Sequence, residues 1–395
     1  MLAVLIGGLS MVSPFSIDTF FPAFHAMEKA LQVDAWKLQQ VLTAYMLPFA
    51  FASLVHGPLS DALGRRPVMI WGMGLYTLGS VACTLAPNYP ALIGARVLQG
   101  VTAGVGVVIG RAIVRDLYEG ARAQRLMSLT TMIFSIAPAV APIIGGWAHV
   151  AFGWRAVFAF MVLCGLVFAF SAWWKLPETL PPTLRIPFNG RNLVSTSLTV
   201  LRHPEFIMLA CAAALNFNSI ACFIGSAPAI IETHWGMGET SYWMLFLPVI
   251  SGILVGATIA GYTAGRFDLV FQVRVGFGLT FAVALVRVLL HLALTNILIP
   301  VQQALLFISA IGAQFAFPML TLRMLDLFPA ARGTAASAQS FVALLFTAFT
   351  LGIVAPKVLA QLHWIAWASL GCTTLATSCW YLSRRWHERT AVHAA

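Results

Sequence analysis

Residues 57–67 run Gly57-Pro58-Leu59-Ser60-Asp61-Ala62-Leu63-Gly64-Arg65-Arg66-Pro67. This is a polar segment bounded by glycines, with one acid and two arginines. Apolar stretches flank it, near residues 37–58 and 68–86. Each is about as long as the roughly 20 residues that cross a hydrocarbon core as a helix. A short basic turn between two such runs predicts a membrane hairpin. The glycines permit the tight turn. Asp61 can accept charge-assisted hydrogen bonds from Arg65 or face the positive end of a nearby helix.

The pattern extends outward along all 395 residues, of which 60% are hydrophobic and 9% charged, with mean hydropathy +0.87. A soluble protein carries about a quarter charged residues. About twelve apolar runs are expected, near 1–24, 37–58, 68–86, 90–113, 126–148, 153–175, 204–231, 241–264, 271–293, 297–320, 334–358 and 362–383. The first is too long for a signal-peptide core and lacks a basic n-region. It reads as a membrane helix, with a short cytoplasmic leader expected ahead of it.

The net charge of +10 does not point to nucleic acid, because the cations alternate between loops. Sixteen fall in one set: Arg65, Arg66, Arg115, Arg122, Arg125, Lys175, Arg185, Arg191, Arg202, Arg266, Arg274, Arg323, Arg332, Arg384, Arg385 and Arg389. The intervening set holds four: Lys29, Lys37, Arg155 and Lys357. Such asymmetry follows the positive-inside rule and predicts two cytoplasmic termini and an even number of spans.

The longest polar connection, Pro177 to Pro204, holds five prolines and divides the runs six and six. The expected architecture is an all-α membrane protein of twelve transmembrane helices in two six-helix bundles around a central cavity. The bundles are 1–175 and 204–383, joined by a cytoplasmic loop 176–203 and followed by a tail 384–395. Equal halves about a basic loop suggest two repeats related by an axis along the membrane normal. Gly261-Tyr-Thr-Ala-Gly-Arg-Phe-Asp268 weakly echoes the 57–67 segment at the same place in its half.

The six cysteines all lie in apolar runs and read as small buried hydrophobes. The histidines lack metal-ligand spacing, and no nucleotide loop or nucleophile elbow occurs. An enzyme, a cofactor and ATP-driven transport are therefore not expected.

Two charges stand out inside apolar runs. Asp18 is the only acid away from the ends of any of them, Glu205 standing second in the 204–231 run, and Arg96 opens the sequence Arg96-Val-Leu-Gln-Gly100 in the fourth. Intramembrane charges are costly and point to ion or proton pathways. Asp18 is the one intramembrane countercharge available to Arg96. The alternative for Arg96 is an arginine satisfied by carbonyls and polar side chains. For Asp18 the alternative is a structural hydrogen bond holding the first helix to its neighbours.

The 57–67 segment resembles motif A of the major facilitator superfamily. In that family the acid, here Asp61, docks against the start of the eleventh span, here Gly333-Thr334-Ala335, and an acid closing the fourth, here Asp116. The resemblance implies a conformational latch of Gly57, Asp61, Gly64, Arg65, Arg66 and Asp116. Arg96 to Gly100 resembles motif B. Ile136-Ala-Pro138-Ala-Val-Ala141-Pro142-Ile-Ile-Gly145-Gly146 resembles motif C of drug–proton antiporters, with Ala141 where a glycine is usual. In the family that helix seals the periplasmic side. Asp18-Thr-Phe-Phe-Pro22, Gly153-Trp-Arg155 and Pro177-Glu-Thr-Leu180 add a similarity to the Bcr/CflA group of bacterial multidrug antiporters.

The resemblance implies a monomeric exporter of small, largely apolar drugs in the bacterial inner membrane, driven by proton antiport. Asp18 and Arg96 are the candidates for proton coupling. Phe21, Tyr45, Phe49, Asn216, Asn218, Gln314 and Gln339 are the candidates for drug binding, with Phe217, Phe223, Phe246, Phe315 and Phe317 as further aromatic positions. Prolines kink the motif C helix and small residues let a neighbour approach. An exporter or facilitator of a small metabolite such as an amino acid or sugar is the alternative.

Overall fold

The computed structural model describes residues 2–118, 120–185, 187–263, 266–294, 297–358 and 361–394. It leaves undescribed the side chains of 3, 120–121, 123–125, 128, 131–132, 135, 330 and 390–394. Within the 261–268 echo, residues 264 and 265 lie outside the described residues.

All regular structure among the described residues is helical. The first half comprises α1 (Leu2–Asp18), α2 (Phe24–Leu31), α3 (Ala35–Leu63), α4 (Arg65–Leu85), α5 (Tyr89–Ala103), α6 (Val105–Leu117), α7 (Gly120–Phe152) and α8 (Arg155–Lys175). The second comprises α9 (Gly190–Arg202), α10 (Pro204–Gly225), α11 (Trp243–Thr263), α12 (Leu269–Ala293), α13 (Ile299–Asp326), α14 (Arg332–Phe349), α15 (Ala355–Val358) and α16 (Leu362–Ala394). Ten stretches among the described residues are long and apolar enough to cross a membrane, and Ile136–Phe152 is a shorter apolar helix. α16 is long enough but interrupts its apolar residues with Thr, Ser and His, and is not among the ten.

The ends follow local chemistry. Asp34 accepts the Lys37 N–H at 2.7 Å and caps α3, and Asn88 accepts the Ala91 N–H at 3.0 Å and caps α5. α1 stops at Asp18, and a 3-10 turn at Phe21–Ala23, with Pro22 inside it, precedes α2. Gly104 separates α5 from α6 within one candidate span. The predicted polar loop is not wholly irregular, since α9 forms inside it. Nor do residues 384–394 form a separate tail: they continue α16.

The chain divides into two compact units, residues 1–193 with 239–243, and 194–238 with 244–395. In the first, α1 packs mainly on α7, α4 on α8 and α3 on α5. In the second, α10 packs mainly on α16 and α12 on α13. The second unit's core gathers Phe206, Phe277, Leu320, Met324 and Trp380, with Phe277 edge-on to Trp380 at 6.0 Å. Lipid is as apolar as a leucine side chain, so this core is held by close packing rather than escape from water. Phe277→Ala will cost about 3 kcal/mol through the cavity it leaves and lower the Tm of the purified protein. Phe271→Ala, at a half-exposed position on the same helix, will leave the Tm unchanged; equal losses from both would contradict this account.

Candidate functional site

The first unit is organised around Arg96. Its side chain is fully buried on α5. Nη2 donates to the Ser16 carbonyl at 2.9 Å, Nε to the Val41 carbonyl at 3.3 Å, and Nη1 to Gln99 Oε1 at 3.0 Å. The guanidinium lies over the rings of Tyr45 at 4.6 Å and Phe20 at 5.1 Å. Gln99 passes the network on by donating to Ser80 Oγ at 2.7 Å. Ser16 Oγ meets Tyr76 Oη at 2.5 Å. One cation thus ties α1, α3 and α5 together, and polar links extend to α4.

Of the two readings of Arg96, the structure shows the one with carbonyl and polar side-chain acceptors. Among the described residues Arg96 makes no ion pair. Its donors reach two backbone carbonyls and an amide, and aromatic faces cover the cation, so no carboxylate is needed. Asp18 nevertheless lies close by, two residues beyond Ser16. It is buried and close enough to Tyr45 to interact electrostatically.

The predicted aromatic drug contacts of this unit take part in the same assembly. Tyr45 lies under Arg96 and donates its hydroxyl to the Ser13 carbonyl at 3.3 Å. Phe49 packs edge-on to Tyr45. Phe21 stacks on Phe20, and its carbonyl accepts the Tyr242 hydroxyl at 3.0 Å.

The helix carrying Pro138 and Pro142 is set against the end of α1. Gly145 sits so close that a Cβ would strike the Thr19 carbonyl. Ala141 is buried with Ala137 against Phe15, so its methyl fills space. Gly146 faces the Glu239 carbonyl, and His149 Nε2 approaches Glu239 Oε1 at 3.4 Å. No signal in the residue order marked Glu239 or Tyr242, which belong to the short 239–243 segment that joins this unit.

At the Gly57–Arg66 turn Arg65 brings Asp61 and Asp116 together. Gly64 adopts φ +101°, a left-handed conformation suited to glycine. Arg65 Nη1 pairs with Asp61 Oδ1 at 2.5 Å and donates to Ser60 Oγ at 2.6 Å, while Nε reaches Asp116 Oδ2 at 3.0 Å. Arg66 Nη2 donates to the Trp173 carbonyl at 2.6 Å. Gly57 packs on Val108. Two further members were not predicted. Glu178 Oε1 accepts the Arg65 N–H at 3.0 Å, where α4 begins, and Thr179 Oγ1 donates to Asp116 at 2.9 Å. An acid at a helix start meets unsatisfied N–H groups and the positive dipole end. The Pro177-Glu-Thr-Leu180 sequence was the available signal, although nothing local assigns it this partner.

In the second unit, Asn216 and Gln314 line one pocket with Phe217, Ile253 and Phe317. Asn216 Oδ1 accepts the Thr280 hydroxyl at 2.8 Å. Asn218 and Gln339 do not line that pocket. Asn218 donates to the Ala214 carbonyl at 2.8 Å, and Gln339 to Thr321 Oγ1 at 2.8 Å. Of the further aromatic positions, Phe223, Phe246 and Phe315 are buried. Arg287, unassigned by its sequence, is buried over the Phe223 ring at 4.1 Å, with no hydrogen-bond partner for Nη2.

Comparison with known proteins decides the family. The profile of the Major Facilitator Superfamily matches residues 6–355. The chain belongs to this superfamily. It is 30% identical to multidrug resistance protein D of Escherichia coli K12 over 329 residues, 83% of this chain and 81% of that protein. It is 32% identical to the uncharacterized MFS-type transporter YdgK of Bacillus subtilis over 266 residues, 66% of each chain. It is 29% identical to a bicyclomycin resistance protein homolog of Haemophilus influenzae over 242 residues, 61% of each. The last two matches thus span somewhat under two thirds of those relatives' length. Among solved structures, the human organic anion transporter MFSD10 superposes with TM-score 0.72 at 17% identity, covering 97% of this chain and 98% of that one. At that identity the likeness shows the fold alone. This superfamily chain is a multi-pass membrane transporter and not an enzyme, and its relatives' names agree with the Bcr/CflA resemblance.

Arg96→Lys tests the reading of the buried network. A single ammonium cannot serve Ser16, Val41 and Gln99 in the guanidinium's planar geometry. The variant will lose roughly 3 kcal/mol of stability through buried acceptors left unmade, read as a lower Tm of the purified protein. A melting curve matching the wild type would contradict it.

Proposed function

We propose that this transporter is a proton-coupled antiporter that exports small, largely apolar drugs by alternating access, with Asp18 carrying the proton. The observation that carries the reading is the setting of Asp18 between two fixed points. Arg96 holds the Ser16 carbonyl on one side, and Gly145 abuts the Thr19 carbonyl on the other. A shift of the antiporter-motif helix would therefore bear on the residue beside the buried acid. Coupling needs such a link, because a ligand moves an equilibrium only through different affinity for its two states.

In this cycle the acid takes a proton when open to the periplasm and releases it to the cytoplasm as drug binds. Arg96 acts through Ser16 as the anchor of the α1 end. The Arg65 cluster, with Asp61, Asp116 and Glu178, is the latch of the cytoplasmic side. Asn216 and Gln314 orient drugs that Phe217 and Phe317 contact; aromatic surfaces accept varied apolar shapes, and a few amides add orientation. Twelve spans, cytoplasmic termini, a monomer and the bacterial inner membrane complete the proposal. Drug export is supported by the names of the resistance proteins it resembles.

The test is drug-dependent proton release by purified protein in liposomes across a compound panel. The wild type will release protons with a drug, whereas Asp18→Asn will bind the drug and release none. Full proton-driven efflux by Asp18→Asn with normal pH dependence would refute the carrier role. Proton release with an amino acid or sugar, and none with drugs, would replace drug export by metabolite export.

A further inference from the structure

The second unit has a recess of about 340 Å³ where α10 begins and α13 ends, bounded also by α12 and α16. The export cycle makes no use of it. Its walls are apolar, from Leu209, Val270, Leu320 and Trp380, while its polar groups gather at one end. The deepest of these is Glu205, already neutralised: Arg323 reaches its Oε1 through Nε at 3.0 Å and Nη2 at 2.9 Å. His387 stands beside both, 3.5 Å from Glu205 Oε2 and 2.9 Å from Arg323 Nη2.

Arg384 is held differently. It lines the recess with its side chain 30% exposed and the Trp380 ring at 5.9 Å. Its ion partner is Glu388, 3.1 Å away, one helical turn on and 63% exposed. Exposed pairs of this kind are weak, so a stronger anion can take the guanidinium. Arg385 and Arg389 lie on the same helix within five residues of it, where Glu388 is the one acid.

The outer faces beside the recess fix its surroundings. Phe271, Tyr381 and Leu382 are about half exposed, as hydrocarbon-facing side chains are. Aromatic rings and arginines together mark the level where a bilayer's apolar core meets its headgroups. Basic pockets between membrane helices at that level suit anionic headgroups.

We propose that this recess binds one anionic phospholipid, with its phosphodiester on Arg384 and an acyl chain along the exposed faces of Phe271 and Tyr381, the latter one turn from Arg384 on the same side of α16. Glu388 is then the group the phosphate displaces. This predicts opposite effects from two neighbouring substitutions. Arg384→Gln removes the phosphate's donor; Glu388→Gln removes its competitor.

The experiment is native mass spectrometry of delipidated full-length protein titrated with phosphatidylglycerol or phosphatidylcholine. The wild type will retain phosphatidylglycerol preferentially. Arg384→Gln will weaken that binding about tenfold, as loss of a charge-assisted hydrogen bond implies, and erase the preference. Glu388→Gln will strengthen it, which no general loss of folding could do. Equal retention of the two lipids by the wild type would overturn the proposal, as would an unchanged preference in Arg384→Gln or weaker binding in Glu388→Gln. Glycerol phosphate will fail to displace the lipid at equal concentration. If it succeeds, the recess is a soluble-phosphate site and the lipid assignment falls.

Discussion

A fully buried guanidinium must find acceptors, and Arg96 finds them on three helices. This requirement sets the first unit. The carbonyl of Ser16 fixes the end of α1, that of Val41 fixes α3, and Gln99 extends the link to Ser80 on α4. In lipid the apolar faces of helices have little reason to prefer one another over the solvent. A buried cation that must be satisfied gives them a reason, and it specifies one arrangement because its donors lie in a plane. Tyr45, Phe20 and Phe158 complete the shell with their ring faces.

Asp18 gains its meaning from that arrangement. Serving Arg96 with the Ser16 and Val41 carbonyls leaves Asp18 buried without an ion pair to that cation. Gly145 meets the Thr19 carbonyl next to it. The Arg65 cluster at the other polar turn works by a different rule: its guanidinium gathers two acids, Asp61 and Asp116, while its backbone N–H holds a third, Glu178.

Much was legible from the residues. Apolar runs of bilayer length, alternating basic loops and the Gly57–Arg66 turn carried the all-helical membrane fold, and Arg65 to Asp61 followed from opposite charges within one short turn. Asp116 was reachable only through the family resemblance, and Glu178 was not reached: its bond to Arg65 spans 113 residues and no periodicity encodes it. Between Asp18 and carbonyls as the partner of Arg96 the sequence could not choose, because it displays side chains but not which carbonyl is near. Backbone acceptors are present at every position, so their choice by Arg96 leaves no mark in the residue order.

The sequence by itself determined which segments are helical and apolar, where the charged turns fall, and that one acid and a few arginines lie where charge is costly. These follow from composition and short-range spacing, which act along the chain. Only the tertiary structure decided which oxygen answers each buried cation, which glycine backs against which carbonyl, and that Glu178 caps α4. Those are meetings of distant segments at hydrogen-bond range, where shifts of an ångström separate a satisfied charge from an orphaned one.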